Sequence, residues 1–257
     1  MKLTQRNYFS KKANKEFMSV SQFKSFERCQ ASALAEVLGK YEREKTTALL
    51  VGSYVDAYFD GTLANFIKKN PEIFKKDGTL KADYIQAEAV IQRILKDKLF
   101  MEYISGKKQV IMTGNISGVP VKIMMDSFHP GKKIVDRKIM ANFDSVYDAE
   151  NGRQPWFEAW GYDLQGAVYQ EVVRQNTGEK LPFYLAAATK EKVTDIDIVH
   201  LPDELLGLAL DRFKRDVETY DAIKKGIIAP ERCEKCEYCK ISKVLSEPTE
   251  ADEFYLI

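Results

Sequence analysis

Histidine is nearly absent: His129 and His200 are the only two in 257 residues. Neither stands in a ligand or catalytic spacing, so both read as structural or exposed. A strong net charge is also missing. The formal value of +1 excludes global basicity as a pointer to nucleic acid, although total charge leaves a local basic groove open. No apolar run approaches the roughly 20 residues needed to span a bilayer, which excludes a membrane partner. The opening stretch MKLTQRNYFSKKANK lacks the apolar centre of a signal peptide. The expected location is therefore the cytoplasm, where structural disulfides are rare, and the four cysteines need another role. What is present is ordinary: 45% hydrophobic and 30% charged residues, in a chain long enough to bury a sizeable core.

No internal repeat or low-complexity tract stands out. Residues 1–18 read as a loosely held polar arm, 19–240 as one domain, and 241–257 as an acidic tail. Ser19 with Gln22 fits a capping box, and Val20, Phe23 and Phe26 recur at helical spacing. Ala48 to Phe59 reads as an apolar helix. A helix-rich stretch, broken at Asn70-Pro71 and Asp77-Gly78, looks like an insertion over about 60–105. The period then changes. Gln109 to Met112 and Val119 to Met125 alternate as strands do, with Gly114 to Gly118 as the turn between them. His129-Pro130-Gly131-Lys132 makes a second turn into the strand Ile134-Val135-Asp136. Trp156 to Gln175 reads as helix, with Trp160, Leu164, Val168 and Val172 on one stripe. Phe183 to Ala188 and Asp195 to His200 read as strands, and Pro202 to Lys225 as a long amphipathic helix. The order predicts a mixed α/β core around one sheet.

The informative segment is GVPVKIMMDSFHPGKKIVDRKIM, Gly118 to Met140. If the turn centres near Gly131, the flanking strands pair antiparallel and Asp126 lies almost opposite Asp136. Directly opposed side chains on one face have Cβ atoms roughly 5 Å apart, and like charges there repel. Protonation or a hard divalent cation with oxygen ligands removes the conflict. Alternation also puts Lys138 on the face of Asp136. Two acids and an ammonium on one face make a hydrolytic set, in which a cation polarises a phosphoryl oxygen and the lysine orients water or meets developing charge. D-x-K on its own is common among surface charges. The apolar flanks (Ile123, Met124 and Met125; Ile134 and Val135) argue instead for largely buried strands, where mid-strand acids are costly without a use.

With Asp126 as the first acid and Asp136-Arg137-Lys138 as the D-x-K, the segment resembles the PD-(D/E)xK nuclease core. Gly161-Tyr162-Asp163-Leu164-Gln165-Gly166-Ala167-Val168-Tyr169 is similar to the glutamine motif of the RecB-like branch, which implies that Gln165 and Tyr169 sit near the site. Val51-Gly52-Ser53-Tyr54-Val55-Asp56 stands where many relatives carry a glycine followed four residues later by histidine. Asp56 replaces that histidine, as a third ligand suited to magnesium or manganese or as a helix-surface acid. The resemblance implies metal ligation by Asp56, Asp126, Asp136 and the Arg137 backbone carbonyl. It also implies a restriction-endonuclease-like α/β sandwich, with a mixed central sheet flanked by helices. The nearest likeness, to RecE-like phage and prophage exonucleases, implies a 5′-to-3′ exonuclease on linear double-stranded DNA, in the cytoplasm of a bacterial or phage-infected cell. It further implies a homo-oligomer and a RecT-like single-strand annealing partner. Rival readings are an endonuclease or 3′-to-5′ exonuclease of the same superfamily, and a non-catalytic zinc-containing nucleic-acid-binding module.

Cys233, Cys236 and Cys239 are spaced C-x2-C-x2-C, one ligand short of a tetrahedral site, and Cys29 is the only other cysteine. All four at one metal would close a very long loop. A 4Fe-4S cluster, a zinc ion or free buried thiols remain open from spacing alone. One early cysteine and three after the core resemble the iron–sulfur nucleases of the AddB type, which implies the cluster. Lys107-Lys108, Lys132-Lys133, Arg137 and Lys190 lie near the site in sequence and could hold phosphates, though most such lysines are plain surface charges. Trp156 and Trp160 could stack on a base, but their helical spacing reads first as core packing.

Overall fold

The computed structural model describes residues 1–149, 152–246 and 248. The acidic tail from Glu247 onward therefore lies outside the described residues, apart from Pro248. Three helices open the chain: α1 (Lys11–Glu16), α2 (Val20–Arg28) and α3 (Gln30–Leu38). The Ser19–Gln22 capping box forms, with each side chain bonding the other residue's backbone, and Val20, Phe23 and Phe26 are buried. Then come α4 (Thr47–Phe59), α5 (Leu63–Lys69), α6 (Ala82–Leu95) and α7 (Lys98–Tyr103). The strands β1 (Val110–Ile116), β2 (Val119–Met125), β3 (Ser127–His129) and β4 (Lys133–Met140) follow. Beyond them lie β5 (Val146–Asp148), β6 (Gly152–Gln154), α8 (Trp156–Ala159), α9 (Tyr162–Thr177), β7 (Phe183–Thr189), β8 (Ile196–Leu201), α10 (Asp203–Lys224) and α11 (Glu237–Ile241).

The central sheet has the order β3-β4-β7-β8. β4 and β7 run parallel, joined by the crossover helix α9, while the outer pairs are antiparallel, so the sheet is mixed. Strand alternation assigns its two faces. Ile134, Phe183, Leu185 and Ala187 pack toward α2, α9 and α10 in one core. Val135, Ala186 and Ala188 pack against α4, α6 and α7 in the other. Helices on both faces of a mixed sheet are the sandwich that the resemblance implied.

The helical insertion at about 60–105 packs onto the fold, with Tyr84, Ala87, Val90, Ile91 and Ile94 of α6 covering the second sheet face. Three local expectations read differently in space. The arm 1–18 is docked: Met18 bridges Val121, Ala13 and Met18 are fully buried, and Lys122 on β2 donates to Tyr8 O and Asn14 Oδ1. β1 runs through Ile116, and the turn shrinks to Ser117-Gly118, where Ser117 takes φ 50° and Gly118 φ 76°, as a tight hairpin requires. The helix expected from Trp156 to Gln175 breaks at Gly161, with φ 63°, which throws Trp160 off the buried stripe while Leu164, Val168 and Val172 stay on it. Among the described residues, no helix is long and apolar enough to cross a membrane.

Candidate active site

Asp126 sits at the bend between β2 and β3. The β3–β4 register pairs Ser127 with Val135, so one further step places Asp126 opposite Asp136. On β4, Asp136 and Lys138 share the parity of Ile134 and face α9. Lys138 Nζ lies 2.5 Å from Asp136 Oδ2, and Gln165 Nε2 donates to Asp136 Oδ1 at 2.7 Å. Tyr169, one turn along α9, donates to Met124 O at 3.0 Å, tying the helix to β2 beside Asp126. Arg137 N donates to Asp126 Oδ2 at 3.1 Å, so the main chain between Asp136 and Lys138 fixes the second acid.

The side chain of Arg137 has the opposite parity and enters the other layer, where it is 1% exposed. Its Nε donates to Asp56 Oδ1 at 2.8 Å and its Nη2 to Asp60 Oδ1 at 3.2 Å. Gln109 Nε2 donates to Asp60 Oδ2 at 2.8 Å and reaches Asp126 Oδ1 at 3.4 Å. Gln109 holds a φ of 51°, a left-handed conformation costing about 1 kcal/mol for a non-glycine residue. Sequence reading missed both Gln109 and Asp60. Asp60 carried a signal, since it stands i+4 from Asp56 on α4; Gln109 in a strand opening carried none.

The electrostatics follow from this burial. Asp136 is pushed up to about 7, first by burial and then by Asp126 and Asp56, against the pull of Lys138. Burial opposes the charge of Lys138, yet Asp136 beside it, with Tyr162 and Asp126, leaves it above the ordinary lysine value. Asp56 rises to about 6, first through the protein packed around it and then through Asp126, against the pull of Arg137. Asp136 Oδ2 is buried and, despite the ammonium close by, receives no well-directed hydrogen bond. A buried anionic oxygen left in that state, facing a second carboxylate, fits a hard divalent cation. Asp56 is a different case, because its Oδ1 is taken up by Arg137. It forms no tight triad with Asp126 and Asp136.

Among the described residues, the cysteines alone form a group of three or more His, Cys, Asp or Glu ligands with atoms within 4.8 Å of one another. Cys29, in the extended link between α2 and α3, places Sγ 3.6 Å from Cys239 Sγ, and Cys233 Sγ lies 4.0 Å from Cys239 Sγ. Ala31 N donates to Glu231 O at 2.9 Å and Glu231 N to Gln30 Oε1 at 2.8 Å, lacing the two chain regions together beside them. Zn–S bonds of about 2.3 Å in a tetrahedron put sulfurs roughly 3.8 Å apart, which these separations match.

Opposed acids at a β-ribbon, a D-x-K strand beside a parallel crossover, and a glutamine from the crossover helix define the PD-(D/E)xK class. Residues 19–242 match the family described as a PDDEXK-like domain of unknown function (DUF3799), and the chain belongs to that family. It is similar to a protein from Eubacterium rectale, whose crystal structure is named as that of a candidate exonuclease. The two share 48% sequence identity and a TM-score of 0.96, over 99% of this chain and 98% of the other. No curated protein matches the chain.

Proposed function

We propose that the protein is a metal-dependent deoxyribonuclease, an exonuclease hydrolysing phosphodiester bonds of linear double-stranded DNA. The observation that carries this reading is the pairing of Asp126 and Asp136 with Lys138 2.5 Å from the buried Asp136 Oδ2. The E. rectale likeness supports the exonuclease class. A 5′-to-3′ direction, a place in phage-type recombination with a RecT-like annealing partner, a homo-oligomeric assembly and a cytoplasmic setting rest on the RecE-like resemblance alone.

Asp126, Asp136 and the Arg137 carbonyl would hold magnesium or manganese, with Asp56 joining through Oδ2 while its Oδ1 stays on Arg137. Such an ion supplies a Lewis acid for the phosphoryl group and a lower pKa for the attacking water. The chain's own part is positional and electrostatic. Gln165 keeps Asp136 turned to the ribbon, and Tyr169 keeps α9 against β2. Lys138, charged across the physiological range, orients the attacking water and meets the charge that grows on the phosphorane-like oxygens. At the cysteines, the four gathered sulfurs suit the 4Fe-4S cluster that the AddB-type likeness implies, with a zinc ion as the alternative.

Equal molar amounts of end-labelled linear duplex and closed circular duplex, with magnesium, test the reading. An exonuclease degrades the first and spares the second. Cutting of closed circles would instead mark an endonuclease, and attack from labelled 3′ ends would reverse the proposed direction. Zinc, iron and acid-labile sulfide assayed on protein purified without oxygen decide between the two cysteine-bound groups.

A further inference from the structure

Beside the ribbon opens a groove of about 720 Å³, bounded by α2, β5 and the α8–α9 turn. Tyr162 connects it to the cutting site, for its ring lies 4.7 Å from Lys138 Nζ on one side and 5.3 Å from Lys24 Nζ on the other. Two aromatic side chains stand open in the groove, Trp160 at 54% and Tyr147 at 74% exposure. Trp160 is held there by design of the backbone: Gly161 turns left-handed after it, and Lys24 Nζ caps the Trp160 carbonyl at 2.8 Å.

The charge in the groove is mixed. Lys24, Arg28 and Arg212 line it together with Glu27, Asp148, Glu158 and Asp163. Asp163 is buried, 6% exposed, and its Oδ1 receives no hydrogen bond. A phosphate offers such an acceptor no proton. A nucleobase has a face for Trp160 and, in adenine, cytosine and guanine, an amino edge for a carboxylate. We propose that this groove receives an unpaired nucleobase of the strand being cut, stacked on Trp160, with its amino edge turned to Asp163. The inference rests on the nuclease reading above and adds to it that the strand end is separated from its complement before hydrolysis.

The test is binding in EDTA, where no cutting occurs, followed by the fluorescence of the two tryptophans, of which Trp156 is buried. The probes are an octamer of deoxycytidine, an octamer of thymidine and an abasic octamer with the same phosphates. Quenching by the deoxycytidine octamer, with affinity at least fivefold above the abasic strand, is the expected result. Trp160→Ala then lowers that affinity by about five- to a hundredfold, leaves abasic binding unchanged, and Trp160→Phe recovers most of the loss. Thymidine, lacking the amino edge, binds more weakly than deoxycytidine, and Asp163→Asn narrows that difference. Equal affinity for the deoxycytidine and abasic octamers, or a Trp160→Ala protein that binds as wild type does, overturns the proposal. Should base-dependent binding hold while no duplex is digested with magnesium, the nuclease reading fails and the groove stands. Should digestion proceed with Trp160 irrelevant to binding, the groove fails alone.

Discussion

Asp136 carries its charge against burial and two neighbouring carboxylates, and Lys138 is what answers them. Replacing Lys138 by alanine removes the ammonium but leaves the acids and strands in place, so we expect digestion of end-labelled duplex to fall by about two to three orders of magnitude. Binding of manganese, followed by titration calorimetry, should persist in that variant. The pH dependence has a definite sign. Asp136 and Asp56 are displaced upward to about 7 and 6, so the folded chain keeps protons there that the unfolded chain gives up near pH 4. Their contribution to stability is therefore whole below about pH 4 and is lost as pH climbs through 6 and 7. In EDTA, the midpoint of urea unfolding should decline between pH 5 and 8, and magnesium should restore it most at the upper end. Apparent cation affinity should correspondingly climb toward pH 7 and level beyond it, because a proton must first leave Asp136.

At the scale of elements, β4 organises the site by alternation. Ile134, Asp136 and Lys138 serve one layer, while Val135 and Arg137 serve the other. That division was legible in the sequence, because a D-x-K inside an apolar strand opposite a second acid leaves little choice of register. The glutamine helix was legible by its motif, although its N-terminal break at Gly161 was not, since a continuous apolar period ran across it. The Arg137 anchorage could not be read, for it depends on how α4 crosses behind the sheet, and no local period encodes that crossing. Two predictions belong here. Ser19→Ala removes the α2 cap and should cost about 1 kcal/mol in urea unfolding, with activity unchanged. Cys29→Ser opens a closure spanning 210 residues, and by analogy with other long-loop clips should cost roughly 3 kcal/mol, or about 6–12 °C in Tm. Loss of bound metal should accompany it.

Across the whole molecule, the two helix layers leave the ribbon end and its neighbouring groove as the place where chemistry and an aromatic platform meet. The terminal cysteines join Cys29 at the end of α2, the helix that bounds one side of the groove, so the cysteine cluster and the groove share a support. The four sulfurs met in space as the spacing suggested, while the fate of Trp160 reversed: the residue assigned to the core faces solvent. The single measurement that bears most directly on the account is digestion of end-labelled linear duplex with and without magnesium, comparing wild type with Asp136→Asn. The account predicts magnesium-dependent release of nucleotides by wild type and none above background from the variant, whose Tm with EDTA stays within a few degrees. Nucleotide release by a folded Asp136→Asn protein at the wild-type rate, or by wild type regardless of magnesium, would contradict it.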